Sequence, residues 1–391
     1  MTPEEQLEWF DELNTLLSIR LNLDEFDRIP DQFRDYSIGS GRVTFAVDDE
    51  FEVDLTIADE DPEKQFWFID FRFNFSPAPS TLSDTLRAFL EAQVNEELAK
   101  DGLQGCYKFL HEFVLTYKIN EIRRQAIELN YGSWTKTLTV ERLNRALAIQ
   151  YWTNRYGPKA PKSWIMLAVS SGKESPTKRG QPAMSHLVVR WYRDGKEIKG
   201  VDLAFDQTTL SAEKLLKAAI ARHVEHILTT IHAQLRPSPR FAKRESSMVI
   251  DISRTEPLES SLAVQLASDE TVTLRIEPVT GAVSMNPHTP YTHRGEQMLN
   301  TSGKNPADEG VTCLELMRKH YLNEQFNRRG KGLGWGTVAN PLDLDNLRRM
   351  LKHKSKETPS TICFQRRGWP PNWYVMLALS LSGDEWWLFS T

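Results

Sequence analysis

The sequence predicts an α+β protein built from serial repeat modules, in which antiparallel sheets are flanked by helices. Three observations predict this class. Apolar and polar residues alternate over short segments within 42–75 and from about 163 onward, as half-buried strands require. Apolar residues recur every three or four positions near 105–130 and 211–235, as amphipathic helices require. Similar residues also recur at an interval of roughly 205 positions.

Length and composition limit the kind of protein this is. The 391 residues exceed the ~100–200 residues of a typical domain and predict two or three folded units. Apolar residues make up 40% and charged residues 26%, which excludes disordered, collagen-like and low-complexity classes. No apolar run approaches the ~18–20 residues that cross a bilayer, and three scattered cysteines cannot frame a disulfide-rich fold. We expect a soluble intracellular protein.

The net charge of −5 conceals an uneven distribution. Residues 1–75 carry 20 Asp and Glu against 6 Lys and Arg, whereas residues 318–367 carry 12 Lys and Arg against 4 Asp and Glu. Opposite poles of this kind suit docking to charged partners. Solvated faces that keep the chain soluble are the alternative interpretation.

Local signals place the elements of the amino-terminal region. Thr2, Pro3 and Glu5 form the start signal of a helix, in which Glu5 completes a capping box. The predicted buried stripe of this helix is Phe10, Leu13, Leu16 and Leu17. Residues 42–75 predict a three-stranded meander. The core face of its last strand is predicted to carry Trp67, Ile69, Phe71, Phe73 and Phe75.

Helical periodicity marks later parts of the chain. Two helical stretches are predicted near 80–100 and 105–130. Ser211 caps a further long helix to about 235, whose buried face is predicted to carry Leu216, Ile220, Ile227 and Ile231. The stretch 286–310 lacks periodicity and is predicted to be a long loop.

Internal repetition is the more informative feature. Residues 138–147 resemble 342–351 at an offset of 204, and residues 161–170 resemble 371–380 at an offset of 210. Single residues repeat at similar offsets, namely Cys106 with Cys313 and Trp134 with Trp335. Chance similarity between amphipathic elements is the alternative explanation.

A repeat of roughly 205 residues divides the chain into three parts. We expect an amino-terminal α+β unit over 1–135, with a helix, a three-stranded meander and further helices. A complete central repeat module is expected over 136–341, and the truncated start of a further module over 342–391. The final WWLFS indicates a strand whose open edge would need a partner strand. We therefore expect this chain to be a piece of a longer array.

Searches for catalytic, cofactor and metal motifs predict no such site. The sequence has neither a G-x-x-x-x-G-K-[ST] phosphate loop nor a G-x-S-x-G elbow. His223 and His226 are three residues apart, whereas zinc hydrolases place two His four apart on a helix, and Glu225 points to another face. Cys106 and Cys313 lie in apolar helical surroundings and are predicted to be core residues. We assign no catalytic, cofactor-binding or metal-ligating residue.

Several of the eleven Trp residues stand beside arginines, as in Arg190-Trp191 and Arg366-Arg367-Gly368-Trp369. Arg and Trp together can bind single-stranded nucleic acid by stacking and charge. The same residue types are enriched at the desolvated centres of protein interfaces. Because the chain is net negative, a place in an interface or core is favoured over nucleic-acid binding.

Two blocks of residues carry a resemblance to a known family. YSIGSGRVTFAVDDEFEVDLTIADEDPEKQFWFIDFRF at 36–73 and RRGWPPNWYVMLALSLSGDEWWL at 366–388 resemble subunit 14 of the Mediator complex of RNA polymerase II transcription, fungal type. Three further segments fit this family: LNTLLSIRLNL at 13–23, KINEIRRQAIEL at 118–129 and APKSWIMLAV at 160–169. The resemblance covers essentially the whole chain.

The resemblance implies a non-enzymatic architectural subunit of the Mediator transcription coactivator, acting in the nucleus. The family joins the head, middle and tail modules of the complex through repeated α+β modules. The implied partners are other Mediator subunits, such as head subunit 17, middle subunits 10 and 7, and tail subunits, with RNA polymerase II machinery contacted indirectly. No cofactor, small-molecule substrate or membrane is implied. Family members are longer at both ends, which puts the contacts of those missing parts in doubt here.

Two other function classes stay open. A nucleic-acid-binding protein would use the Arg- and Trp-rich stretch 318–373, and its affinity would fall steeply with salt. An enzyme would depend on Cys106, or on His223 and His226, although no substrate is suggested.

Overall fold

The computed structural model describes residues 2–155, 161–171, 184–343, 346, 347, 349, 360–379 and 384–391. Contacts divide the chain into two compact units. The first unit comprises Met1–Gln150, Ser163–Tyr192 and Lys196–Leu215, and the second comprises Tyr151–Lys162, Arg193–Gly195 and Leu216–Thr391.

One long helix separates two sheets in the first part of the chain. Helix α1 (Pro3–Ile19) precedes the first sheet, whose strands are β1 (Tyr36–Gly39), β2 (Arg42–Val47), β3 (Phe51–Ile57) and β4 (Phe66–Phe73). Helix α2 (Asp84–Tyr131) leads to the second sheet, with β5 (Thr139–Leu143), β6 (Ala146–Tyr151), β7 (Ser163–Ser170), β8 (His186–Arg193) and β9 (Lys196–Glu197). The strands of both sheets lie side by side in chain order.

The later part of the chain repeats this order of elements. Helix α3 (Ala212–Leu235) and the single turn α4 (Pro239–Ala242) precede the third sheet, with β10 (Met248–Asp251), β11 (Ser261–Ala267), β12 (Glu270–Ile276) and β13 (Val283–Asn286). Helices α5 (Pro290–Thr301) and α6 (Pro306–Gly332) precede the fourth sheet, with β14 (Trp335–Val338), β15 (Ser360–Arg366), β16 (Trp373–Leu379) and β17 (Glu385–Ser390). Four separate antiparallel sheets with helices between them confirm the predicted α+β class.

The predicted repeat is matched by the structure in one segment and not in another. The segments 161–170 and 371–380 contain β7 and β16, each the third strand of its sheet. Residues 138–147 form β5, the turn after it and the start of β6, whereas Asn346 and Leu347 are helical and half of 342–351 lies outside the described residues. The division into 1–135, 136–341 and 342–391 stays a prediction. The two compact units are defined by internal contacts, and such contacts do not test a sequence repeat.

Helix α1 begins as its sequence predicts. The Thr2 hydroxyl accepts a hydrogen bond from the Glu5 amide, and the Glu5 carboxylate accepts one from the Thr2 amide at 2.7 Å. The predicted apolar stripe is buried only in part, because Leu17 is fully buried while Phe10 is 42% exposed. The local signals therefore set the start of α1, and its packing partners decide which face is covered.

The core of the first sheet is an aromatic cluster centred on Phe33. This side chain is fully buried, and its ring stacks on Phe45 at a centroid distance of 4.6 Å. Its edge contacts are with Tyr107 of α2 at 5.5 Å and with Phe51 at 6.3 Å. The cluster joins α2 to the sheet, which has four strands rather than the predicted three because β1 pairs with β2.

The predicted core face of β4 is wrong over half its length. A bulge leaves Ile69 without a cross-strand partner, since Asp54 pairs with Asp70 while the next residue, Leu55, pairs with Phe68. An extra residue shifts the two-residue alternation by one position. Phe66 and Phe68 are therefore buried before the bulge and Phe71 after it, whereas Trp67 is 43% exposed.

A buried carboxylate lies at the same bulge. Asp54 accepts hydrogen bonds from the Thr44 hydroxyl at 2.7 Å, from Arg72 Nη2 at 2.9 Å and from Arg42 Nη1 at 3.2 Å. Burial acts to raise the pKa of Asp54, but the hydrogen bonds from Arg72 and Thr44 outweigh it and hold the pKa below its ordinary 3.8. The ionised form is therefore the one that the fold stabilises.

We expect the Asp54→Asn variant to be less stable than the parent chain near neutral pH, by an amount that shrinks in acid. Because the folded pKa is depressed, the stabilisation by Asp54 is present above 3.8 and is lost as pH falls through the lower folded value. Urea unfolding at a series of pH values measures this difference. A gap that stays constant down to the folded pKa would contradict the assignment.

The two predicted helices near 80–100 and 105–130 form one element with a break. Gly102 has φ +60° and ψ −144° within α2, so the helix axis changes direction there. Cys106 lies fully buried in the segment after this break.

The predicted loop over 286–310 is wrong, because α5 and the start of α6 occupy it. Thr289 caps α5 together with Thr292 in a capping box. The buried face of α5 is Tyr291, Thr292, Gly295 and Leu299. A Cβ on Gly295 would lie 2.5 Å from Met317 Sδ, so α5 packs tightly on α6 through a small residue. Small and polar residues on a buried face give no apolar period, which is why the sequence pattern missed this helix.

Candidate interaction surface

Of the two histidines considered as zinc ligands, His223 is fully buried in the second unit. The Tyr151 hydroxyl lies 3.0 Å from His223 Nδ1, and the Trp152 ring centroid is 4.6 Å from that of the imidazole. Burial, aided by the charge of Arg193, lowers the pKa of His223 well below its usual value, so the ring is neutral. Among the described residues, no group of three His, Cys, Asp or Glu side chains could hold a metal ion.

All three cysteines are buried, which confirms that Cys106 and Cys313 are core residues. Burial raises the pKa of Cys313 to about 12 and that of Cys363 to about 11, and it also raises the pKa of Cys106. A nucleophilic cysteine needs an accessible thiol with a lowered pKa. These environments favour packing over catalysis.

A buried charged cluster lies between α2 and the turn from β2 to β3. His111 Nδ1 is 2.7 Å from a Glu50 carboxylate oxygen, and His111 Nε2 is 2.7 Å from the Ser185 carbonyl oxygen. Although burial opposes it, Glu50 raises the pKa of His111, which favours an imidazolium that donates to both oxygens. Lys118 is fully buried, and its Nζ lies 5.0 Å from the centroid of the Phe75 ring. The Glu50 carboxylate is thus bound within the fold.

An open groove lies in the second unit, between the carboxy-terminal end of α6 and one face of the fourth sheet. That sheet is apolar on both faces, since Cys363, Met376 and Ala378 pack with Leu347 on the opposite side. The groove has a volume of about 270 Å³. It is lined by Phe326, Arg329, Gly330, Leu333, Trp335, Phe364, Val375 and Trp386.

Helix α6 covers only part of this sheet face. Phe326 packs edge-to-face on Trp386 at 5.4 Å, and a Cβ on Gly330 would lie 3.5 Å from Trp335 Cβ. Trp386 is 56% exposed, and Leu388, which pairs with the groove residue Val375 and so shares its face, is 59% exposed. The apolar surface of the groove thus continues into solvent.

Two cations lie at the groove. Arg329 lines it, and the Arg366 guanidinium lies 6.0 Å from the centroid of the Trp335 ring. Three further exposed cations are close to these two in the sequence, namely Arg328, Lys331 and Arg367. Within the part of the chain that the structure describes, none of the five forms an ion pair. We refer to these five residues as the basic rim.

Carboxylates close to the groove are engaged elsewhere. Asp384 is bound by the buried Arg318. Glu385 accepts a hydrogen bond from Trp387 Nε1 at 3.2 Å, and Trp387 packs on the opposite face of the sheet. Neither of these two carboxylates therefore forms an ion pair with the basic rim.

The acidic pole of the first unit presents a different surface. Helix α1 exposes Leu7 and Trp9, at 64% and 56%, beside the carboxylates of Glu4 and Glu8. Leu7 is also a neighbour on the helix surface of Phe10, which lies three residues further on and is 42% exposed. Adjacent exposed apolar side chains within a charged segment are typical of interaction sites. The two charge poles predicted from the sequence thus each include exposed apolar side chains.

The Arg–Trp pairs that were singled out in the sequence fall into two groups. Trp191 is only 3% exposed, so it belongs to the core and offers no stacking surface. Trp369 packs edge-to-face on Trp335 at 4.9 Å, at the side of the groove. Sequence reasoning found the basic stretch but missed the groove, because Phe326, Val375 and Trp386 meet only through tertiary packing.

The chain is similar in sequence to proteins of one known family. A model of the fungal Med14 domain matches residues 231–326, and a model of Mediator complex subunit MED14 matches residues 1–59. The Mediator of RNA polymerase II transcription subunit 14 of Pyricularia oryzae is 49% identical over 99% of this chain. The proteins of the same name from Neurospora crassa and Aspergillus terreus are 46% and 37% identical, each over 99% of this chain. The chain belongs to the Mediator subunit 14 family.

The match to the Mediator subunit 14 family covers nearly the whole of this chain but only about a third of each relative. The chain spans 35% of the Pyricularia oryzae relative, 31% of the Neurospora crassa relative and 34% of the Aspergillus terreus relative. Both charge poles lie within the matched part. No helix among the described residues is long and apolar enough to cross a membrane.

Proposed function

We propose that this chain is part of a non-enzymatic, architectural subunit of the Mediator coactivator, acting in RNA polymerase II transcription in the nucleus. The observation that carries the proposal is the 49% identity to a Mediator subunit 14 along 99% of the chain. Exposed apolar side chains at both charge poles support it, because permanent partners bind through such surfaces.

The finer proposal is that the subunit links the head, middle and tail modules of Mediator. A linking subunit needs packed modules in series and separate surfaces for separate partners. The exposed apolar surface in each of the two compact units supports the second of these properties. Head subunit 17 and middle subunits 10 and 7 are the proposed partners for this part of the chain.

We expect the tagged protein, purified from nuclear extract of its host at moderate salt, to co-elute with stoichiometric head and middle subunits. Charge reversal on α1 (Glu4→Lys with Glu8→Lys) should deplete one group of subunits severalfold, and Arg328→Glu with Arg329→Glu should deplete another. The physical reason is that opposite charges at an interface set which partner is accepted. Quantitative mass spectrometry of the eluate measures each subunit.

The matched control is Arg236→Glu, which reverses an exposed charge of the second unit at a residue that belongs neither to α1 nor to the groove lining. It should leave the eluate unchanged. A folded monomer without other subunits would refute the proposed function. If both reversals left every subunit bound, the assignment of the two poles to different partners would be wrong.

A further inference from the structure

We infer that the groove between α6 and the fourth sheet binds an acidic, amphipathic segment of a partner protein. The inference rests on the proposed function as an interaction subunit and names the chemistry of one partner. Its central observation is the combination of an apolar floor with the basic rim.

The floor of the groove is suited to large apolar side chains. Phe364 is buried, while Leu333 and Leu388 are 68% and 59% exposed along the same path. Removal of the exposed Leu333 and Leu388 side chains from water favours binding. The volume of about 270 Å³ accommodates a few large side chains, and the apolar surface continues outside it along Leu388. Anchor side chains of a peptide suit a groove that is open in this way.

The basic rim determines the sign of the partner's charge. Arg329 and Arg366 lie at the apolar surface itself, and the other three exposed cations are close to them in the sequence. A guanidinium can bind a carboxylate through two parallel hydrogen bonds. A segment with Glu or Asp between its apolar anchors would bring each carboxylate to this rim while its anchors enter the groove.

A nucleic acid fits the same surface less well. Base stacking needs open ring faces. The Trp335 and Trp369 rings pack edge-to-face, the Arg366 guanidinium lies over the Trp335 ring, and Trp386 packs on Phe326. Much of the remaining floor is aliphatic, from Leu333, Val375 and Leu388, which favours peptide anchors over bases.

The test is a fluorescence-anisotropy titration of the whole 391-residue chain with a labelled synthetic 16-residue peptide. The peptide carries Leu, Phe and Trp at helical spacing between Glu residues, and a second peptide replaces every Glu with Gln. We expect saturable binding of the acidic peptide and about tenfold weaker binding of the Gln peptide. Arg329→Glu with Arg366→Glu, and separately Leu388→Glu, should each weaken the acidic peptide about tenfold.

Matched controls are Arg236→Glu for the rim and Leu258→Glu for Leu388, since Leu258 is 56% exposed and lies outside the groove. Both should bind the peptide as the parent chain does, and circular dichroism should show all variants folded. Absence of saturable binding, or equal binding of both peptides, overturns the inference. So does a single-stranded oligonucleotide that binds through the rim arginines while the peptide does not bind, or self-association of the chain through Leu388. Because no other Mediator subunit is present, these failures are distinct from failure of co-purification.

Discussion

The Phe33→Ala variant is expected to lose about 3–5 kcal/mol of unfolding free energy in the first unit. Phe33 is fully buried, and its ring contacts Phe45 at 4.6 Å and Tyr107 at 5.5 Å. Truncation removes this apolar burial and leaves a cavity that the aromatic neighbours fill only partly. Because α2 and the first sheet meet through this ring, the loss should extend to both elements.

Native-state hydrogen exchange measures this effect locally, which matters in a chain of two units. Amides of β2 and β3 should exchange faster in the variant, while those of β11 and β12 should not. Phe26→Ala is the matched control, because Phe26 is 50% exposed and its ring is contacted by Arg34 at 5.0 Å. It should cost about 1 kcal/mol or less. Equal effects of the two substitutions would mean that Phe33 is not central to the core.

The Gly281→Ala variant is expected to destabilise the second unit by about 2–4 kcal/mol. Gly281 has φ +71° in the turn between β12 and β13, a conformation that disfavours any Cβ. An added Cβ would also lie 2.5 Å from Cδ2 of the Trp152 ring. That ring cannot move freely, because it is 3% exposed and its Nε1 donates to the Pro278 carbonyl at 2.8 Å.

Gly303→Ala separates the two causes. Gly303 has φ +68°, close to that of Gly281, but nothing lies within 4 Å of its Cβ position. Its substitution should cost only the backbone term, about 1 kcal/mol. Thermal and urea unfolding of both variants give the comparison. If both cost the same, contact with Trp152 makes no contribution.

Start signals were predicted well because they depend on neighbouring residues alone. The capping box of Thr2 and Glu5 forms as expected. The Ser211 hydroxyl accepts from the Lys214 amide at 3.2 Å at the start of α3, and the predicted stripe from Leu216 to Ile231 is buried. Each depends on interactions within a few positions of the chain, which the sequence specifies directly.

Predictions failed where a distant element changed the local pattern. The bulge at Ile69 reverses which aromatic residues of β4 are buried, and its position depends on pairing with β3. Helix α5 was missed because Gly295 fits against α6 through the absence of a side chain. The spacing of apolar residues cannot reveal a helix contact that requires a residue without a side chain.

By itself, the sequence determined the fold class, the uneven charge and the family. The fold class and the charge follow from periodicity and composition, and the family follows from similarity to known sequences, none of which needs coordinates. Only the tertiary structure decided that Trp386 is exposed while Trp191 is buried, and that Arg329 and Arg366 meet at one apolar groove. The physical reason is that burial and charge clustering depend on which strands and helices come together, over separations that local patterns do not encode.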